Sequence, residues 1–385
     1  KGSYIKDVDG NTRIDFANNM ASLIHGHSHP LINKAVSDQL EKGTAFTMGS
    51  EIEVRFAELL NNRNKNFEKI RFMNSGTEAV MTMIKASRAY TGKPKIAKAE
   101  GTYHGTYDYA EISQTSSPHN WGHPDNPSPT PVVEGTPEGV LNDVVIFPYN
   151  DIERSINLLD QYAEEIACVL IDPVPHRVGL IPGNNDFIEA IYEWTRKNNT
   201  ILAFDEVVTY RACYSGAQER YKIKPDLTAL GKIIGGGFPI GALAGKSDIM
   251  KVLDPREKKL KHPHSGTFSA NPISTTAGYT AMKLFNKDAV SELNKLTEIA
   301  KIQIEEAITI ANVDMSITGI GSMFRIHMQK EPPSTFRNAY QDSHAQHIMN
   351  ELIDYLFLEE NILMINTGTC MFSTTLTQDD VDRLS

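Results

Sequence analysis

Pro225-Asp-Leu-Thr-Ala-Leu-Gly-Lys-Ile-Ile-Gly-Gly-Gly-Phe-Pro-Ile-Gly-Ala-Leu-Ala-Gly245 sets one lysine, Lys232, in an apolar, glycine-rich context between Leu230 and Ile233-Ile234. An ammonium there is poorly solvated. Its pKa falls and its free amine becomes available, as a lysine that condenses with a carbonyl requires. The commoner fate of such a lysine is to snorkel from a buried strand end to water. Two other segments weigh against that fate.

Ile201-Leu-Ala-Phe-Asp-Glu-Val-Val208 is an apolar run ending in Asp205 and Glu206. It reads as a buried parallel strand that delivers an acid at its C-terminal edge, where open α/β sheets hold ligands. A buried carboxylate needs a cationic partner; a protonated pyridine nitrogen, Arg211 and a metal ion all qualify. Ile70-Arg-Phe-Met-Asn-Ser-Gly-Thr-Glu-Ala79 reads as a strand, a turn and the start of a helix that continues to Tyr90. Free amides at that helix start, with the Ser75 and Thr77 hydroxyls, suit a phosphate. The same residues also fit an ordinary capping box of Ser75 with Glu78.

With Gly101-Thr-Tyr-His-Gly105 and Gly266-Thr-Phe-Ser-Ala-Asn-Pro272, these strings resemble the class III, pyridoxal-phosphate-dependent aminotransferases. The similarity is greatest to the branch containing glutamate-1-semialdehyde 2,1-aminomutase, and it runs in order from about Asp9 almost to the end. The resemblance implies the pyridoxal-phosphate fold type I: a large domain whose mostly parallel sheet is covered by helices, and a smaller α+β domain. It implies that Lys232 holds the cofactor as a Schiff base and later moves the substrate proton. Asp205 would keep the pyridine nitrogen protonated. Ser75, Gly76 and Thr77 would bind the phosphate, Tyr103 and Val207 would flank the ring, and His104 would join the cofactor site. Thr267 would reach the phosphate of a neighbouring subunit, which requires a homodimer with shared active sites.

The departures from that branch concern the substrate. Where it commonly carries Glu-Pro-Val and small residues, this chain has Asp172-Pro-Val-Pro-His-Arg-Val-Gly179. Arg177 there either clamps a carboxylate or pairs with Asp172, and the pair is the favoured expectation. Arg211 occupies a position where arginine is usual in the branch and is a further substrate candidate. Asn18 and Asn19 replace a Ser-Trp-Gly type of sequence and are expected at the substrate as well. A long stretch rich in Pro, Ser, Thr, Gly and Asn, Ile112 to Asn142, is expected to be a lid near the pocket mouth, with a passive surface excursion as the alternative. Altered gate and altered pocket favour a transaminase, exchanging an amino group between a small-molecule donor and a keto or aldehyde acceptor by a ping-pong route. Intramolecular transfer by an aminomutase is the alternative.

At 385 residues, with 40% apolar and 22% charged residues, the chain has the composition of a folded globular protein of about two domains. The formal net charge of -10 disfavours nucleic acid or an anionic membrane as partner. Neither a basic region nor a helix-turn-helix marks a DNA-binding regulator. No Gly-Lys-Ser/Thr follows the triple glycine in the manner of a nucleotide phosphate loop. Three scattered cysteines and the lack of a membrane-length apolar run suggest a reducing, cytoplasmic setting. The chain starts without methionine and stops just after a helix start, so both ends are expected to continue.

Tyr4 to Phe16 reads as a hairpin around Asp9-Gly10. His25, His27 and His29 alternate as a metal site might require, but Gly26 and Pro30 favour a turn into a helix over Leu31–Lys42. Strands are expected at 70–73, 95–99, 144–147, 168–172, 201–204 and 241–244, with helices at 151–165 and 185–198. The expected division is an N-terminal segment 1–50, a large cofactor domain 51–272 and a small domain 273–385. Helices at 289–310 and 344–359 and strands at 323–327 and 362–365 belong to the last, to which the hairpin adds.

Overall fold

The computed structural model describes residues 1–385. Seven strands form the central sheet, in the spatial order Lys69–Met73, Gly241–Gly245, Leu227–Gly231, Ile201–Asp205, Ile166–Ile171, Lys95–Ala99 and Val144–Phe147. Gly241–Gly245 is antiparallel to both of its neighbours, and the other six run one way. Leu227–Gly231 was not among the expected strands. Its alanine and glycine content conceals an element that is buried along its whole length.

The sheet is apolar on both faces because helices cover both. Successive residues divide between two cores with period two. Ile96, Cys168, Leu170, Ile201 and Ala203 face Val80, Met83 and Ile84 of the helix Gly76–Thr91. Ala97, Ile166, Val169, Leu202 and Phe204 face Leu158 of Ile152–Asp160 and Phe187, Ile191 and Trp194 of Asn185–Lys197. Each fully buried Ile, Leu or Phe contributes roughly 1.5–3 kcal/mol.

The chain's two ends meet. Tyr4–Lys6 and Thr12–Asp15 form the expected hairpin, and Ile362–Leu363 adds to it in parallel. Ser316–Thr318, Met323–His327 and Thr369–Met371 form a further antiparallel sheet. The Met371 amide donates to Phe16 O at 2.7 Å, and the Phe16 and Phe372 rings lie 5.3 Å apart. The helices Lys287–Ala311 and Ser343–Leu358 pack here, as expected within a few residues.

The topology brings five segments to one sheet edge. Lys69–Met73 runs on into Ser75-Gly76-Thr77, Lys95–Ala99 into Tyr103-His104, and Ile166–Ile171 into Asp172. Ile201–Asp205 ends on Asp205, and Leu227–Gly231 leads into Lys232. All five strands point the same way, so their C-terminal ends meet at the crevice that this sheet type reserves for ligands.

Candidate active site

A cavity of about 740 Å³ opens at that edge. Lys232, Asp205, Ser75, Gly76, Thr77, Tyr103, His104, Val207 and Arg177 all line it. Lys232 has a positive φ of 49°, a conformation that costs a non-glycine residue energy and recurs at functional sites. Burial lowers its pKa, the nearby Asp205 works against that, and Arg211 adds slightly to it. The amine therefore releases its proton more readily than a surface lysine.

Asp205 is held from both sides. Its Oδ1 accepts from the Val207 amide at 3.0 Å, and its Oδ2 lies 2.8 Å from His104 Nδ1. His104 Nε2 in turn lies 2.9 Å from Thr102 Oγ1, which itself donates to Ala99 O at 2.6 Å. Burial pushes the His104 pKa down and Asp205 pulls it up. The net direction is downward, which favours the neutral imidazole, with its Nδ1–H directed at the Asp205 carboxylate. The partner of Asp205 within the chain is thus His104. Arg211, an alternative in the sequence, is wholly buried and donates to Ser322 Oγ at 2.8 Å, Ala21 O and Phe372 O. It does not line the cavity and ties the hairpin region to the C-terminal sheet. The neighbouring Glu206 points away, accepting from Ala217 N and from both nitrogens of Gln218. Burial raises its pKa to about 7.

Ser75 caps the helix Gly76–Thr91 by accepting from Glu78 N at 3.1 Å, while the Glu78 carboxylate accepts from Asn74 N. The capping interaction and the anion site coexist, since the first-turn amides of Gly76 and Thr77 stay unpaired at the cavity. Gly76 is required by Val207: a Cβ there would lie 2.8 Å and 3.0 Å from its two methyl groups.

Tyr103 meets the His176 ring edge-on at 5.5 Å and carries the Arg177 guanidinium 5.1 Å from its centroid. Arg177 forms no ion pair with Asp172, contrary to the favoured expectation. Asp172 lies buried, accepting from Val174 N at 2.9 Å, while Arg177 reaches outward over Tyr103. Burial and the nearby Asp205 push the Asp172 carboxyl well above the usual carboxylate range. Asn18 and Asn19 also lie off the cavity: Asn18 is buried against Met371 O, and Asn19 bonds Ser22. Met20 lines the cavity instead. All four residues from Asn18 to Ala21 have positive φ, a left-handed turn braced by Asp15 accepting from the amides of Ala17 and Asn18.

Within Ile112 to Asn142, only Gln114, Thr115 and Ser116 reach the cavity. The excursion is clamped from outside by Arg337, which pairs bidentately with Glu100 at 2.9 Å and donates to Trp121 O and Gly122 O. Thr267 is exposed and does not line this cavity. The three histidines diverge: His25 bonds Thr374 and Ala281 O, His27 pairs with Asp15, and His29 precedes the helix Pro30–Leu40. No helix is long and apolar enough to cross a membrane.

Sequence reasoning missed Asp172 as a neighbour of Asp205, and Arg325, which lines the cavity from the strand Met323–His327. The alternation there was a usable signal. Phe324 and Ile326 enter the core, so Arg325 must take the other face.

The model of the aminotransferase class-III family matches residues 1–377. The glutamate-1-semialdehyde 2,1-aminomutase of Alkaliphilus metalliredigens is 39% identical over 342 residues, 88% of this chain and 76% of that protein. The enzyme of the same name from Thermoplasma acidophilum is 40% identical over 325 residues, 84% of this chain and 75% of that protein. Among solved structures, an omega-transaminase from Sphaerobacter thermophilus superposes with a TM-score of 0.97 at 42% identity, covering 100% of this chain and 87% of that one. A β-phenylalanine aminotransferase from Variovorax paradoxus gives 0.87 at 32% identity, covering 100% and 84%. The chain has fold type I and belongs to the class III aminotransferases, a family of pyridoxal-phosphate-dependent enzymes.

Proposed function

We propose that this protein transfers an amino group between a small-molecule donor and a keto or aldehyde acceptor in two half-reactions, with pyridoxal phosphate as cofactor. The observation that carries this is the convergence of Lys232, Asp205 and the helix start at Gly76 and Thr77 on one cavity. When bound, the cofactor supplies a carbonyl that condenses with amines and a ring that accepts electrons from the substrate carbon.

The residues divide the work. Gly76 and Thr77 amides bind the phosphate, reinforced by the helix dipole and the Ser75 hydroxyl. Asp205, fixed by His104 and the Val207 amide, holds a proton on the ring nitrogen. Lys232, with its lowered proton affinity, would offer the free amine that a cofactor carbonyl requires and would take up the proton released at the substrate carbon. Tyr103 and Val207, which both line the cavity, would flank the ring. Thr267 and the exposed Phe46, Met48 and Phe268 belong to a homodimer contact through which each subunit completes the other's phosphate site. The two parts 51–272 and 273–385, with 1–50 joined to the latter, act as cofactor and small domains in the cytoplasm.

Lys232→Ala tests the assignment. Amino transfer and the visible absorbance of lysine-linked cofactor are both expected to vanish while the fold persists; retention of either in a folded variant refutes the role of Lys232. The names of the curated relatives favour a second reading, intramolecular transfer on glutamate-1-semialdehyde. Supplying that compound alone decides between them: catalytic 5-aminolevulinate formation without a second substrate establishes the aminomutase.

A further inference from the structure

Lys98, on the strand Lys95–Ala99, is fully buried and pairs with no carboxylate. It donates instead to two main-chain carbonyls, Thr102 O at 2.9 Å and Ile112 O at 2.6 Å. Each carbonyl stands just ahead of a run that walls the 740 Å³ cavity, Tyr103-His104-Gly105 in one case and Gln114-Thr115-Ser116 in the other. The Gly101 amide stitches the same two segments together by donating to Ser113 O at 2.9 Å. Burying an ammonium without an anion costs stability. What Lys98 places in return is Thr102.

Thr102 is also fully buried, and its hydroxyl, at 2.9 Å, is the one hydrogen-bonding partner of His104 Nε2. Ala99 O lies 2.6 Å from the same hydroxyl, but it also accepts from the Thr102 amide at 3.4 Å. Nε2 has no second donor. Burial first, and Lys98 in addition, oppose a positive charge on the His104 ring, while Asp205 favours one. A neutral ring that gives its Nδ1–H to Asp205 has only a lone pair at Nε2, so the hydroxyl turned toward it must donate. Asp205 then receives a hydrogen bond from an uncharged group and keeps its whole negative charge. An imidazolium in the same place would cancel that charge before any cationic ring nitrogen arrived.

We propose that Thr102, anchored by Lys98, is a positioning residue that fixes the Nδ1–H tautomer of His104 and so keeps Asp205 oriented and fully anionic toward the cavity. This rests on the cofactor role proposed for Asp205 above. Without the hydroxyl, Nε2 is a buried acceptor with no partner, and the ring relieves that cost by turning Nδ1–H away from Asp205.

Thr102→Val keeps the side chain's shape and removes the hydroxyl, Thr102→Ser keeps the hydroxyl, and Lys98→Met removes the anchor. Nitrogen NMR of histidine-labelled, cofactor-free protein near neutral pH, with His104 assigned by its absence from His104→Gln, reads the two ring nitrogens separately. The parent is expected to show a protonated Nδ1 and an unprotonated, hydrogen-bonded Nε2. In Thr102→Val and Lys98→Met the Nε2 resonance should move to that of a free acceptor, and pyridoxal phosphate should bind about two- to tenfold more weakly in equilibrium titration. Thr102→Ser should match the parent in both readouts. A Thr102 that merely braced its turn would lose thermal stability as valine and leave the Nε2 resonance and the cofactor affinity where they were. A protonated Nε2 in the parent overturns the proposal whether or not any variant folds. So does an unmoved Nε2 resonance with unchanged affinity in folded Thr102→Val or Lys98→Met, or a Thr102→Ser protein that behaves like the valine variant. A parent protein with the expected tautomer that fails to bind pyridoxal phosphate would instead refute the cofactor role of Asp205.

Discussion

Replacing Gly76 by alanine should change sign with the residue opposite it. In the parent protein the new methyl would sit 2.8 Å and 3.0 Å from the Val207 methyl groups, well inside contact distance. Val207 has little room to yield, because its amide is bonded to Asp205 and it also packs against Gly231. Overpacking of this kind costs about 1–3 kcal/mol. Against it stands the gain from exchanging glycine for alanine in the helix Gly76–Thr91, about 0.4–1 kcal/mol. The net expectation is a loss of about 1–2 kcal/mol. In a Val207→Ala background the obstructing methyls are gone and only the helix gain remains, so Gly76→Ala should stabilise by about 0.5 kcal/mol. The coupling between the sites is then about 2 kcal/mol, within the range for residues in direct contact. Urea unfolding of the four cofactor-free proteins, compared at equal m-value, measures it. Equal effects of Gly76→Ala in both backgrounds would refute the claim that Val207 is what requires glycine at this position.

Two further outcomes are expected. Lys98 is fully buried, donates to Thr102 O and Ile112 O, and has its pKa lowered to about 7, chiefly by burial. Between that value and the unfolded lysine's ~10.4, the unfolded chain binds more protons, so stability rises with pH, by up to about 1.4 kcal/mol per unit. Below pH 7 this dependence is absent and the full cost of the buried charge applies. A Lys98→Met variant should lack the rise, and parallel stability profiles for variant and parent would contradict it. Arg337→Met strands the buried Glu100 without its bidentate partner and should cost about 3–5 kcal/mol. The 112–142 excursion, freed from its clamp, should become the first site of limited proteolysis; unchanged cleavage would show that other contacts hold it.

Lys232, Asp205 and the turn Ser75-Gly76-Thr77 were legible in the sequence because each is local chemistry written into a short string. The alternating strands and helices were legible for the same reason, since periodicity of apolar residues is a property of neighbours in the chain. Leu227–Gly231 escaped because alanine and glycine carry no strand signal when burial comes from flanking strands. Arg177 was misjudged toward Asp172 because closeness in sequence suggested a pair that the 3-10 turn His176–Val178 separates. Arg211 looked like a ligand group and proved to be a buried brace, and Asn18 and Asn19 proved to be parts of a left-handed turn that presents Met20. The sequence by itself determined the family, the parallel architecture and the reactive lysine–carboxylate–helix set. Only the tertiary structure decided which residues stand opposite that set. His104 meets Asp205 and Val207 meets Gly76 across 101 and 131 residues of chain, and Arg325 lines the same cavity as Arg177, 148 residues away in sequence. Long-range juxtapositions of this kind follow from how strands and sheets pack, and no local pattern encodes them.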